Sequence, residues 1–149
     1  MEDIIAGDMK QFVTFKLGKS EYGIDIENVT TIEKLSTITR VPNTPDYIRG
    51  VINLRGEIIP IIDLAVKFGL DETEDTENTR IIILAIDGAT VGIRVDSVAE
   101  VANLSDKSIE NVSNFSNELS DEYIIGAAKL DNRIVTLLDI GKMLKIDEL

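Results

Sequence analysis

Cysteine, histidine and tryptophan are all absent from this chain of 149 residues. Without cysteine there are no disulfides and no thiol chemistry, which fits the reducing cytoplasm as the expected compartment. Without histidine the chain lacks the commonest general acid or base, the commonest metal ligand and the phosphorylatable imidazole of phosphorelay domains. Zinc, haem and triad chemistry are therefore not expected, and neither is a cofactor. Cations are scarce: 15 Lys and Arg face 27 Asp and Glu, for a net charge of −12. That balance repels the phosphate backbone that supplies most nonspecific nucleic-acid affinity, so nucleic acid and anionic membranes are not expected partners. No apolar run approaches the roughly 20 residues of a membrane span, and the opening Met1-Glu2-Asp3 is acidic where a secretory signal is basic. The composition that remains, 44% hydrophobic and 28% charged, is that of a globular domain without direct membrane insertion.

What the chain does contain, it contains twice. Phe15, Leu17, Tyr22, Gly23, Ile24, Ile26, Val29 and Ile32 return 69 positions later as Leu84, Ile86, Val91, Gly92, Ile93, Val95, Val98 and Val101. Ile48, Gly50, Leu54, Ile58, Ile59, Ile61, Ile62, Asp63 and Leu64 return 76 positions later as Ile124, Gly126, Leu130, Ile134, Val135, Leu137, Leu138, Asp139 and Ile140. Two copies are too few for a solenoid, so this is one small unit duplicated. A lobe of half this length would bury only about 60% of its unfolded surface, so the lobes are expected to share a core. Residues 1–149 are read as a single domain of two lobes, approximately 10–70 and 79–145, joined by an acidic linker at 71–78.

Each copy begins with strand alternation around a short turn: Gly18-Lys19-Ser20 in the first, and Asp87-Gly88, the strongest short hairpin signal, in the second. Gly23 and Gly92 lie inside strand patterns, where glycine marks a bulge or a close approach. Each copy continues as two apolar strands around a polar tip, Arg55-Gly56 or Asp131-Asn132. Pro60 in the first return strand argues for an edge or a bulge, because it cannot donate to a ladder. An Asp then precedes a short helical pattern, Asp63 before Leu64 to Phe68 and Asp139 before Ile140 to Leu144, and reads as an N-cap. Residues Asn103 to Ser120, dense in Ser and Asn, read as irregular structure with one helical turn.

Four features are candidates for function. The run Asp71 to Glu77 lacks the central glycine and glutamate spacing of a calcium loop, so no metal is expected there and a solvated loop is the simpler reading. Asp63 and Asp139 could form a carboxylate pair, but capping already accounts for both. Val29, Ile32, Val98 and Val101 have the spacing of strand residues, which are usually core, although one face of such a strand can stay open to a partner. Arg40, Arg49 and Arg55 make residues 40–56 locally positive against the single acid Asp46. Arg55 at a hairpin tip is either solvated or a fork for a partner's carboxylate.

The stretch Val41-Pro42-Asn43-Thr44-Pro45, followed by the run from Ile48-Arg49-Gly50-Val51-Ile52-Asn53-Leu54-Arg55-Gly56 to Asp63-Leu64, closely resembles the CheW family, the coupling proteins of bacterial chemotaxis. Tyr22-Gly23-Ile24-Asp25-Ile26 and Val91-Gly92-Ile93-Arg94-Val95-Asp96 match that family too, and the resemblance covers roughly residues 10 to 145. It implies an all-β fold with minor α: two intertwined five-stranded SH3-like β-barrels sharing a hydrophobic core, with a short helix after each repeat. It further implies a noncatalytic adaptor that couples the cytoplasmic tip of a chemoreceptor to the regulatory domain of the histidine kinase CheA, in the cytoplasm and recruited to membrane-associated receptor arrays. A chain with no histidine is not itself such a kinase, and two lobes filling 149 residues leave no room for a receiver domain. An apolar groove between lobes is the family's receptor site, which makes Val29, Ile32, Gly50, Val98 and Val101 candidates for it and Arg55 an interface residue. The chain departs from the family at Thr31, where a glutamate is frequent, and at Ala65, where an arginine is frequent. With Thr31 in that place, Glu33 is the carboxylate expected to serve Arg55.

Overall fold

The computed structural model describes residues 9–110 and 123–144. Eleven strands occur there: β1 Met9–Leu17, β2 Ser20–Asp25, β3 Val29–Lys34, β4 Ile48–Leu54, β5 Glu57–Asp63, β6 Arg80–Ile86, β7 Ala89–Val95, β8 Ser97–Ser105, β9 Ile109–Glu110, β10 Ile124–Leu130 and β11 Arg133–Leu138. Two short helices follow β5 and β11, α1 Leu64–Phe68 and α2 Ile140–Met143. The hairpin turns are the two-residue kind whose twist matches the strands. Arg55 and Gly56, Asp87 and Gly88, and Asp131 and Asn132 all have positive φ, while the first hairpin uses Gly18 alone.

The strands form a sheet ordered β8-β1-β2-β11-β10-β9, here called sheet A, and a sheet ordered β3-β6-β7-β5-β4, sheet B. Replacing each strand of sheet B by its repeat counterpart reproduces the order of sheet A, with the two-residue β9 added at the end. Each sheet nevertheless mixes the two copies: the hairpin β1–β2 joins β8, β10 and β11, while the hairpin β6–β7 joins β3, β4 and β5. Parallel pairing of β2 with β11 and of β7 with β5 closes each exchange. The two copies are thus intertwined.

This exchange explains why some strands read as unbroken apolar runs rather than alternating ones. In β6, Ile82 and Leu84 enter a core shared by both sheets, together with Val13, Phe15, Ile24 and Ile62. Their neighbours Ile81 and Ile83 face the other way, into a core of sheet B with Ile52, Ile59 and Ile61. Phe12, Ala102, Leu104, Ala128, Val135 and Leu137 make the corresponding core of sheet A.

Irregularities are duplicated as well. Register shifts fall between Thr14 and Phe15 opposite β8 and between Val29 and Thr31 in β3, and again between Ile48 and Gly50 in β4 and between Ile124 and Gly126 in β10. Gly23 and Gly92 lie at none of these bulges. A Cβ at Gly23 would stand 2.9 Å from the Leu137 side chain and one at Gly92 2.6 Å from that of Ile61, so side chains of the parallel partner strand cover both. Pro60 lies on neither an edge strand nor a bulge: β5 is between β7 and β4, and Pro60 is tolerated because the ladder with β7 begins only at Ile61. The serine- and asparagine-rich stretch is also more regular than its composition predicts as far as Glu110. Asn103 and Leu104 continue β8 against Gln11 and Lys10, and one 3-10 turn, Asp106–Ser108, leads into β9. Its part from 111 to 120 lies outside the described residues.

Candidate partner-binding surfaces

β3 and β8 are repeat counterparts, and each is the outermost strand of its sheet. Val29 on β3 and Val98 on β8 are half-buried and pack against the shared core. Ile32 and Val101, further along the same strands, are 41% and 46% exposed, so the usual core reading of strand-spaced valine and isoleucine fails at these two positions. An edge strand has a neighbour on one side only, which leaves such a side chain uncovered.

Gly50 and Arg55 belong to the β4–β5 hairpin, at the opposite end of the order of sheet B from β3. Gly50 is buried with φ +146°, and a Cβ there would sit 2.2 Å from the Thr39 carbonyl oxygen. Thr39 bridges Val51 by reciprocal hydrogen bonds of 2.9 and 2.8 Å, so the space above Gly50 is filled by the chain's own backbone. Gly126 repeats the arrangement under Glu110 of β9, with 2.6 Å to its carbonyl oxygen. Arg55 is exposed at its tip with φ +53° and makes no ion pair among the described residues, Glu33 included. At the position of the departing glutamate, Thr31 Oγ1 is buried without a hydrogen-bond partner. Ala65 is buried on α1, and its N–H is one of those held by the cap.

Asp63 Oδ1 accepts the N–H groups of Ala65 at 3.1 Å and Val66 at 3.3 Å, while its Oδ2 accepts Arg49 Nη1 at 3.1 Å. Asp139 Oδ1 accepts the N–H of Lys142 at 3.1 Å. The two carboxylates thus stand at the starts of different helices. Among the described residues no cluster of three or more Asp and Glu is arranged to hold a metal ion, and no helix is long and apolar enough to cross a membrane.

Two arginines that the sequence reading did not single out organise the charge. Arg94 on β7 is fully buried, with Nε 2.8 Å from Asp75 Oδ1 and Nη1 2.8 Å from Asp96 Oδ1. The acidic linker is therefore not a purely solvated loop, because Thr73 and Asp75 turn inward to a buried cation. Burial opposes the charge on Arg94, yet the hydrogen bonds to Asp75 and Asp96 raise its pKa above the ordinary value. Burial would likewise raise the Asp96 carboxyl, but hydrogen bonds from Thr73, from the Gly18 N–H and from Arg94 hold it below the usual carboxylate range. Arg133 at the start of β11 pairs with Glu100 and with Glu21, at 3.0 Å to the latter, and these two carboxylates raise its pKa. One signal for Arg94 was legible: a lone charge in the apolar run Val91-Gly92-Ile93-Arg94-Val95, where the first copy has Asp25.

Residues 11–148 match the family model described as the CheW-like domain. The chain belongs to the CheW-like family. It is 44% identical over 140 residues to the chemotaxis protein CheW of Klebsiella aerogenes, covering 94% of this chain and 84% of that protein. With the chemotaxis protein CheW of Bacillus subtilis it shares 36% over 135 residues, covering 91% and 86%. The crystal structure of the scaffolding protein TtCheW from Thermoanaerobacter tengcongensis superposes with a TM-score of 0.85 at 35% identity, covering 94% of this chain and 90% of that one. The two-sheet architecture is that of this scaffolding neighbour, and the role that goes with the family is that of an adaptor in chemotaxis.

Proposed function

We propose that this CheW-like chain is a noncatalytic, cytoplasmic adaptor that joins the cytoplasmic tip of a chemoreceptor to the regulatory domain of CheA, and is recruited through both to membrane-associated arrays. The observation that carries this reading is the doubled apolar edge: Ile32 on β3 and Val101 on β8 are exposed at repeat-equivalent positions of two different sheets. A molecule with one such edge on each sheet has two places to be held, and a helical hairpin with an apolar stripe is a partner that a shallow apolar surface takes. Val29 and Val98 form the half-buried floor beside these edges. Gly50 contributes by letting the Thr39 segment lie along β4, and Arg55, without an ion pair among the described residues, offers its fork to a carboxylate on the partner. The lobes at approximately 10–70 and 79–145 act as one domain because their strands are exchanged.

Calorimetry with the regulatory domain of CheA and with a receptor-tip fragment tests the reading. Binding to both is expected, and binding to neither would overturn it. Arg55→Ala is expected to leave the unfolding midpoint unchanged and to weaken receptor-dependent kinase activation in a reconstituted array, whereas unaltered activation would remove Arg55 from the interface.

A further inference from the structure

The connection from β5 to β6 has a topological problem to solve. β7 lies between those two strands in sheet B, so residues 64–79 must cross the end of β7 to reach β6. Arg94 and Asp96 stand at that end. Arg94 Nη2 reaches the Thr73 carbonyl oxygen at 3.3 Å and its Nε reaches Asp75 at 2.8 Å, while Thr73 Oγ1 donates to Asp96. From the other side, the bulged residue Arg49 holds Asp63 at 3.1 Å and Asp75 at 3.4 Å. The network then leaves sheet B, since Asp96 Oδ2 accepts the Gly18 N–H at 2.6 Å and the Asp96 N–H donates to the Lys16 carbonyl oxygen at 3.0 Å, both at the β1–β2 turn of sheet A.

We propose that the crossover at 71–79 is an ionic strap, fastened by Arg94 and Arg49, that locks the acidic segment over the end of β7 and fixes sheet B against the β1–β2 turn of sheet A. Sheet A supplies the control within the same molecule. There β2 is flanked by β1 and β11, which no segment joins directly, and the counterpart of Arg94 is Asp25, whose side chain among the described residues only accepts the N–H of Glu27 at 2.9 Å. The arginine is present where a crossover has to be held and absent where there is none. Its two ends differ in access. The Arg94 side chain is 1% exposed, but Arg49 and Asp75 are 33% and 37% exposed, so the strap opens from the Arg49–Asp75 side and is weakened by salt. On the adaptor reading above, on which this consequence rests, the strap keeps the two edge strands at a constant separation, so that a partner on one sheet meets the other in a set geometry.

Amide hydrogen exchange on the isolated chain tests the strap without any partner, so its failure is distinguishable from failure of the adaptor reading. Three amides report on it: Thr76, which donates to Thr79 Oγ1 at 2.8 Å, Thr79, which donates to the Thr76 carbonyl oxygen at 3.2 Å, and Gly18. Asp75→Asn is expected to accelerate Thr76 and Thr79 at least tenfold, as is raising the salt to about 1 M, with Ile61 and Ile82 in the core unchanged. Arg94→Lys is expected to accelerate Gly18 as well, because a single ammonium cannot span Asp75, Asp96 and the Thr73 carbonyl. Glu74→Gln removes an exposed charge that fastens nothing among the described residues and is expected to change none of the three. Unchanged exchange in Asp75→Asn, uniform acceleration that includes the core amides, or an equal response in Glu74→Gln would each overturn the strap.

Discussion

In sheet A, Arg133 at the start of β11 is held between Glu21 on β2 and Glu100 on β8. The three corresponding positions of sheet B are Glu57, Thr90 and Thr31, where no ion pair forms among the described residues and the Thr31 hydroxyl is left without a partner. At the opposite end the contrast reverses: sheet B holds Arg49 and Arg94 among Asp63, Asp75 and Asp96, while sheet A has exposed Ile125 in place of Arg49 and Asp25 in place of Arg94. Strand order, bulge positions and caps, by contrast, have been kept. Both sheets bulge at the same places, cap a helix with the same aspartate and lay a short segment over the same glycine. Strand order and bulges are constrained by every neighbouring strand at once, whereas a charge is constrained only by the few groups it touches. A duplicated fold therefore keeps its backbone and differentiates through its charges, which gives an adaptor two similar edges in two different electrostatic settings.

The largest test of this comparison is at the glycines. Gly50→Val must place a Cβ 2.2 Å from a backbone oxygen at φ +146°, and is expected to cost more than about 3 kcal/mol in urea unfolding. Gly126→Val meets the Glu110 oxygen at 2.6 Å but needs no positive φ, so it is expected to cost less. Equal costs would show that the positive φ of Gly50 adds nothing to the clash with the overlying segment, and no cost at either would mean that the glycines are not structural.

A middle-sized effect separates the charged ends by pH. The Asp96 carboxyl is held low in the folded state, so its contribution to stability is complete above the ordinary carboxylate range and is lost as pH falls through the depressed folded value. Asp96→Asn is therefore expected to differ most from the parent near neutrality, and the gap in urea midpoints is expected to close as pH falls through and below the ordinary carboxylate range. A gap independent of pH would assign the effect to packing instead. Glu100→Gln, which removes the exposed partner of Arg133 in the other sheet, is expected to shift the midpoint far less, and less still in high salt.

The smallest effect on stability concerns the edges themselves. Ile32→Asp and Val101→Asp change exposed side chains, so each is expected to move stability by no more than about 0.5 kcal/mol while lowering affinity for a partner. If each variant weakens binding to a different partner, the two edges are specialised, and if both weaken the same partner, they form one surface. Loss of stability in either would show that its side chain belongs to the core after all.

Much of this was legible in advance. The hairpins at Asp87-Gly88 and Arg55-Gly56, the helices after Asp63 and Asp139 and the shared core all follow from local pattern plus the duplication. Pro60 misled because a proline is excluded only where a ladder needs its N–H, and the short parallel pairing with β7 begins one residue later. The stretch from Asn103 misleads because Ser and Asn favour turns locally, while Leu104 is 3% exposed in the core of sheet A, a tertiary gain that local preference does not record. Ile32 and Val101 carry the same apolar signature as core residues, and only their place on outermost strands leaves them uncovered.

Residue types and spacings of a few positions are enough to specify the building unit, its duplication, the turn chemistry and the lack of thiol and imidazole groups. Which copy's hairpin completes which sheet, and which acids meet Arg94 and Arg133, emerge only when the strands are assembled. Strand pairing and ion pairing act between residues far apart in the chain, such as Glu21 and Arg133, and hydrophobic alternation states that a face is buried without naming what buries it.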